Sequence, residues 1–104
     1  MKESEIQKDI RKYLREKGIL CERIQSGTIR VGNGFIHLAS SWHPDLVCYL
    51  RGGKTMFLEI KGPKGKLSPE QVEYHEKLSL LGFEVIVLSS LEDAKSLFQT
   101  LGYE

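Results

Sequence analysis

Residues 56–61, MFLEIK, place an acid and a base two positions apart in an otherwise apolar run. Side chains alternate between the faces of a strand, so Phe57, Glu59 and Lys61 share one face and Met56, Leu58 and Ile60 the other. Taken alone, such a Glu and Lys also describe a solvated surface pair. HPDL, upstream, changes the balance. Pro44 cannot donate to a strand ladder, so Asp45 belongs where the chain enters its strand, with its carboxylate aimed off the sheet end. Two carboxylates and an ammonium together suit metal-assisted phosphodiester hydrolysis. That chemistry needs hard oxygen ligands for a Mg²⁺ that keeps several waters, and a group that positions or deprotonates the attacking water. Asp45 and Glu59 can hold the metal, and Lys61 the water.

Parity constrains how these groups meet. Directly opposed residues of an antiparallel pair point to the same face, so Asp45 must lie opposite Glu59 or Lys61. That requires an odd-length connection around Gly52-Gly53, or a bulge; an even loop would set Asp45 opposite Ile60 and separate the carboxylates.

The elements that position these groups are marked along the chain. From Glu3 to Lys17, Ile6, Ile10, Tyr13 and Leu14 recur at three- and four-residue steps and Gly18 follows as a stop, predicting an amphipathic helix. Leu20 to Gln25, Thr28 to Val31 and Phe35 to Ala39 read as short strands of a meander, with Gly32-Asn33-Gly34 in a turn. Asp45 to Leu50 and Thr55 to Lys61 are apolar runs around Arg51-Gly52-Gly53-Lys54, a hairpin signature. After the loop GPKGKL, Ser68-Pro69-Glu70-Gln71 is a capping box: the Ser68 hydroxyl accepts from the Gln71 amide and the Gln71 side chain reaches back. That helix runs to about Leu81. Phe83 to Ser89, rich in Val and Ile, predicts a buried strand, followed by a helix from Leu91 to about Leu101. The order α-β-β-β-β-α-β-α, least sharply marked in its first strands, gives an α+β sheet with helices packed on it.

Composition sets the remaining bounds. The 104 residues, 40% hydrophobic and 28% charged, suit one domain spanning 1–104. No apolar run approaches the roughly eighteen residues of a membrane span, and MKESEIQKDI is charged where a secretory signal is apolar, so a soluble, cytoplasmic protein is expected. Cys21 and Cys48 form no CxxC and point to two buried free thiols. A net charge of +1 argues little for a nucleic-acid partner, and the distribution argues more. Arg11, Lys12, Arg15 and Lys17 crowd the first helix, and Lys61, Lys64 and Lys66 crowd one loop; a solvated face or attraction of phosphates accounts for either cluster. Trp42 alone makes no stacking platform, which favours readout of backbone shape over base-specific binding.

Pro44-Asp45, then Glu59-Ile60-Lys61, then KGKLSPEQ ending in Gln71 resemble the PD-(D/E)xK nucleases, most closely their VRR-Nuc branch of virus-type replication-repair nucleases. Proline-aspartate with ExK alone is a weak pattern; the segment to Gln71, the helix before it and FEVIVLS after it make the match specific and extend it over almost the whole chain. The resemblance implies a restriction-endonuclease-like core, with a mixed central sheet flanked by helices, and a DNA endonuclease using Mg²⁺, with Mn²⁺ able to substitute. It implies Asp45 and Glu59 as metal ligands beside the Ile60 carbonyl, Lys61 as the catalytic lysine and Gln71 as a further polar site residue. It also implies a glutamate early in the first helix. Glu3 shares a side with Gln7, Ile10 and Leu14 whereas Glu5 is turned away, so Glu3 is preferred and Glu5 held in reserve. Lys64, Lys66 and Ser68, just after the catalytic strand, are the residues expected to touch DNA. A glycine commonly stands two places before the Pro-Asp pair in this family, and here Trp42 and His43 precede Pro44. His43 reads as a phosphate or metal contact or as a supporting surface residue. His37 and His75 show no ligand spacing.

The chain resembles stand-alone members that act on branched DNA such as four-way junctions, leaving a 3′-hydroxyl and a 5′-phosphate. A junction has near two-fold symmetry and is cut in two opposed strands, so a homodimer is expected. Ile29, Val31, Phe35 and Ile36 are candidates for the pairing surface, with packing in the chain's own core as the alternative. Rival readings are a flap, nicking or restriction-type nuclease, and a non-catalytic DNA-binding module with no need of a carboxylate metal site.

Overall fold

The stop at Gly18, the glycine turns and the capping box divide the chain into its elements. A computed structural model describes residues 1–103 as α1 (Glu3–Glu16), β1 (Leu20–Arg23), β2 (Thr28–Val31), β3 (Gly34–His37), β4 (Leu46–Leu50), a 3-10 turn (Arg51–Gly53), β5 (Lys54–Ile60), α2 (Pro69–Leu80), β6 (Glu84–Leu88) and α3 (Leu91–Thr100). The central sheet has the order β1-β4-β5-β6, with β1, β4 and β5 antiparallel and β6 parallel to β5. This is the expected mixed α+β sheet.

Period-two alternation sorts the sheet's residues. Leu46 and Cys48 of β4, Met56, Leu58 and Ile60 of β5 and Leu88 of β6 join Ile6, Ile10 and Leu14 of α1 and Ala94 and Phe98 of α3 in the core. The other face of β5 presents Phe57 and Glu59, and α2 lies over it, touching Glu59 through His75. Both halves of the predicted capping box start α2: the Ser68 hydroxyl accepts from the Gln71 N–H at 3.1 Å, and the Gln71 Oε1 accepts from the Ser68 N–H at 3.0 Å.

The β4–β5 turn meets the parity condition. Three residues, Arg51–Gly53, connect the strands, with Gly52 and Gly53 at φ of 78° and 73°, where only glycine rests without strain. Lys54, expected in the turn, begins β5 instead. The register Leu46↔Leu58, continued by one step, sets Asp45 opposite Glu59.

Three expectations need correction. All five strand segments read before α2 form, one more than the condensed order counts, but they make no single meander: β2 and β3 form a separate two-stranded sheet. Ile29, Val31, Phe35 and Ile36 there are 47%, 52%, 67% and 48% exposed, so they are not core. The segment Phe83 to Ser89 forms an edge strand, not a buried one: Leu88 is buried toward α1 and α3, but Val87 remains 41% exposed. Cys21 and Cys48 lie directly opposite each other across β1 and β4, both free; Cys21 is only half-buried because β1 is the other edge. Among the described residues, no helix is long and apolar enough to cross a membrane.

Candidate active site

The end of the β4–β5 pair carries the unusual chemistry. Lys61 N–H donates to the Leu88 carbonyl at 2.9 Å, so the preceding residue turns its backbone groups away from β6, toward β4. The register places Pro44 opposite Ile60, and a proline has no N–H to offer the Ile60 carbonyl. The Ile60 N–H finds Asp45 instead, whose Oδ2 accepts it at 2.7 Å. Pro44 thus stops the ladder where it leaves one carboxylate pinned and one backbone carbonyl without a ladder donor.

Glu59 is only 2% exposed. Burial, then the neighbouring Asp45 carboxyl through hydrogen bonding and charge, push its acid up to about 9 against the moderating charge of Lys61; Glu3 adds to the rise. His75 Nε2 lies 3.1 Å from Glu59 Oε1. Burial and the Lys61 charge push the imidazole below its ordinary range. With the imidazole lowered and the Glu59 acid raised, this contact is a hydrogen bond between neutral groups rather than an ion pair.

The first helix closes the site from the other side. Glu3, Ser4, Gln7, Lys8, Arg11 and Arg15 of α1 line a cleft of about 610 Å³ together with Arg23 and Asp45. Glu3, the preferred acid of the two near the helix start, faces this cleft; Glu5 is exposed and not part of its lining. Among the described residues, no three His, Cys, Asp or Glu side chains converge closely enough to cage a metal. Two carboxylates and a free carbonyl still suit an ion such as Mg²⁺, which binds through one or two carboxylates, waters and substrate phosphate.

A profile of the VRR-NUC domain matches residues 35–92, more than half of the chain and all of β4, β5, α2 and β6. The chain belongs to the VRR-NUC domain family. It is 26% identical to a solved VRR_NUC domain structure over 93% of this chain and 94% of that one, with a TM-score of 0.71. It is also 45% identical over 47 residues to the protein named "Putative nuclease p44" of Acyrthosiphon pisum secondary endosymbiont phage 1. That match covers 45% of this chain and about half, 50%, of the phage protein's length. The family is one of nuclease domains, and the fold is that of its PD-(D/E)xK-like members.

In this VRR-NUC domain Asp45, Glu59, Ile60 and Lys61 lie at one strand end, and Glu3 approaches from α1 across the cleft that Asp45 also lines. Gln71 and Ser68 are occupied with each other in the α2 cap, which commits the Gln71 carbonyl oxygen. Lys64 and Lys66 are exposed on the connecting loop. That loop folds back through a Gly65 N–H to Gly62 carbonyl bond of 2.9 Å. A Cβ on Gly65 would lie 3.3 Å from Gly62 N and O and 3.4 Å from Lys61 Cβ, so glycine lets the loop rest against the lysine. The His43 ring bonds through Nδ1 to the Pro44 carbonyl at 2.9 Å and packs between Phe57 and Tyr74. His75 is the residue sequence reasoning missed. It lies four positions after Gln71, on the same side of α2, and that step was the available signal.

Proposed function

We propose that this VRR-NUC domain is a Mg²⁺-dependent DNA endonuclease, with residues 1–104 acting as one catalytic unit. The observation that carries the reading is the pair of carboxylates, Asp45 and Glu59, held together with Glu59 buried and its acid raised to about 9. Such a pair is costly without a cation, and a divalent ion would relieve it. Asp45, Glu59 and the Ile60 carbonyl are the groups that would hold Mg²⁺, or Mn²⁺ in its place. When bound, the ion supplies an activated water and offsets charge developing on the scissile phosphate. Lys61 positions or deprotonates the attacking water, and His75 fixes the Glu59 carboxyl. Glu3 adds an acid from the facing helix. Gln71, with its carbonyl oxygen committed to the cap, contributes through its NH₂ donors. Lys64, Lys66 and Ser68 meet the DNA backbone. Isothermal titration with Mn²⁺ tests the metal site: heat of binding in the native chain, absent in Asp45→Ala, is the expected result.

For substrate we favour branched duplex cut by a homodimer. The support is the β2–β3 hairpin, whose apolar residues are uncovered and whose strands leave open edges. A panel of labelled linear, flap and four-way-junction DNAs in Mg²⁺, run beside light scattering at micromolar concentration, separates the readings. A monomer that cuts linear duplex as well as junctions would remove the branched-DNA and dimer reading and leave the nuclease standing.

A further inference from the structure

The cleft that opens onto Asp45 is lined by both signs of charge, with the bases in excess. Glu3 and Asp45 contribute the acids; Lys8, Arg11 and Arg15 recur at three- and four-residue steps along α1, and Arg23 joins them from the end of β1, beside Asp45. Arg23 is directed there by register: it lies opposite Leu46, whose side chain is in the core beneath α1. No ion pair among the described residues involves any of these four bases. Like charges three and four apart oppose helix formation, and exposed helices commonly relieve them with interleaved acids. Here Asp9 and Glu16 lie on another side of α1, lining a separate hollow with Lys12, Leu91 and Lys95. The helix therefore segregates unpaired bases onto the side that runs into the active site.

We propose that this cleft is the track of the DNA strand entering the active site, with Lys8, Arg11, Arg15 and Arg23 receiving successive backbone phosphates beside the one at Asp45. The proposal rests on the nuclease reading and adds the path of the substrate to it. From Lys8 to Arg15 the helix advances about 10 Å. At about 3.4 Å of axial rise per nucleotide in one strand, that length serves about three phosphates. The contacts are to phosphate rather than base edges, so they set the register of the strand and carry no sequence preference.

The test is binding of the whole chain to fluorescent duplex DNA in EDTA, followed by anisotropy over a range of salt. Arg11→Ala, Arg15→Ala and Arg23→Ala each weaken binding and flatten the slope of log K against log salt by about 0.9, the value for one phosphate contact. Lys12→Ala and Lys95→Ala remove equal charge from the other hollow and leave the slope unchanged. Circular dichroism confirms that each variant is folded, and Arg11→Lys recovers most of the slope. The proposal is overturned if the arginine variants keep the native slope, or if Lys12→Ala flattens it equally, which would describe a diffuse field instead of a track. No bond is cut under these conditions. A protein that binds through the cleft but never cleaves in Mg²⁺ would sink the nuclease reading separately.

Discussion

The strand end at Asp45 and Glu59 and the hairpin β2–β3 break the usual rule of burial in opposite directions. One buries a carboxyl beside another; the other holds Phe35 and three aliphatic residues in water. Each arrangement is unfavourable in the isolated chain, but what relieves them differs. A buried carboxylate pair calls for a compact, hard cation, whereas exposed hydrocarbon calls for a broad apolar surface. The first is fixed by short hydrogen bonds to Ile60 and His75, the second only by the pairing of two four-residue strands. The unfavourable arrangement is therefore firmly held at the strand end and loosely anchored at the hairpin.

The largest effect expected is on catalysis. Asp45→Ala, Glu59→Ala and Lys61→Ala each reduce DNA cleavage about a hundredfold or more, the usual size for removing a charge-stabilising group, while circular dichroism stays native. Native rates from a folded Lys61→Ala protein would break the assigned role of the strand end.

Stability against pH sharpens the contrast further. The Glu59 acid rises from 4.5 to about 9 on folding, so between those values the native state holds a proton that the unfolded chain releases. Its contribution is complete below 4.5 and is lost as pH climbs toward 9. His75, pushed below 6.5, acts in the opposite sense at acid pH and the shifted Cys21 and Cys48 thiols add to the alkaline end, so the Glu59 contribution is read as the difference between the native chain and Glu59→Gln from pH 7 to 9. In EDTA the melting temperature falls across that window. Glu59→Gln flattens the fall and raises the melting temperature at pH 8 while abolishing cleavage. Mn²⁺ stabilises the native chain most at the alkaline end. A Glu59→Gln protein with the native pH slope would remove the carboxyl as the source.

At the hairpin, Ile29→Ser with Phe35→Ser converts a dimer to a monomer by light scattering. It changes the melting temperature of the monomer by only a few degrees, because exposed positions contribute about 0.5 kcal/mol or less. Severe destabilisation would mean the residues are core after all. The smallest effect belongs to Gly65→Ala, which displaces the loop by a few tenths of an ångström against Lys61 and lowers the cleavage rate several-fold with unchanged stability.

Much of the site was readable because its geometry is local or governed by parity. The facing of Glu59 and Lys61 follows from alternation alone, and the odd turn at Gly52-Gly53 sets Asp45 opposite Glu59. The α2 cap was readable down to its two hydrogen bonds. What escaped depends on which elements meet. His75 reaches Glu59 only because α2, packed against β6, carries that side chain over to β5, a contact that neither segment encodes by itself. FEVIVLS looks buried because all its residues but Glu84 and the terminal serine are apolar. Its place at the sheet edge is decided by the absence of a neighbour beyond it. The hairpin strands likewise carry ordinary strand residues, and nothing in them states that they pair only with each other.

The hairpin leaves and rejoins the domain through a narrow neck. Ser26 bridges Ala39, Gly27 N–H donates to the Ala39 carbonyl, and Leu38 N–H donates to the Gly27 carbonyl. Below that neck, β1 and β4 pair directly, up to the bond from Ile24 N–H to the Asp45 carbonyl. The excursion is thus a closed detour, and closing a longer or shorter loop costs only about 0.6 kcal/mol per doubling of length. Evolution or an engineer can exchange residues 28–37 for another appendage without shifting the register that aligns Asp45 with Glu59. The hairpin can thus be remodelled while the two carboxylates stay in place.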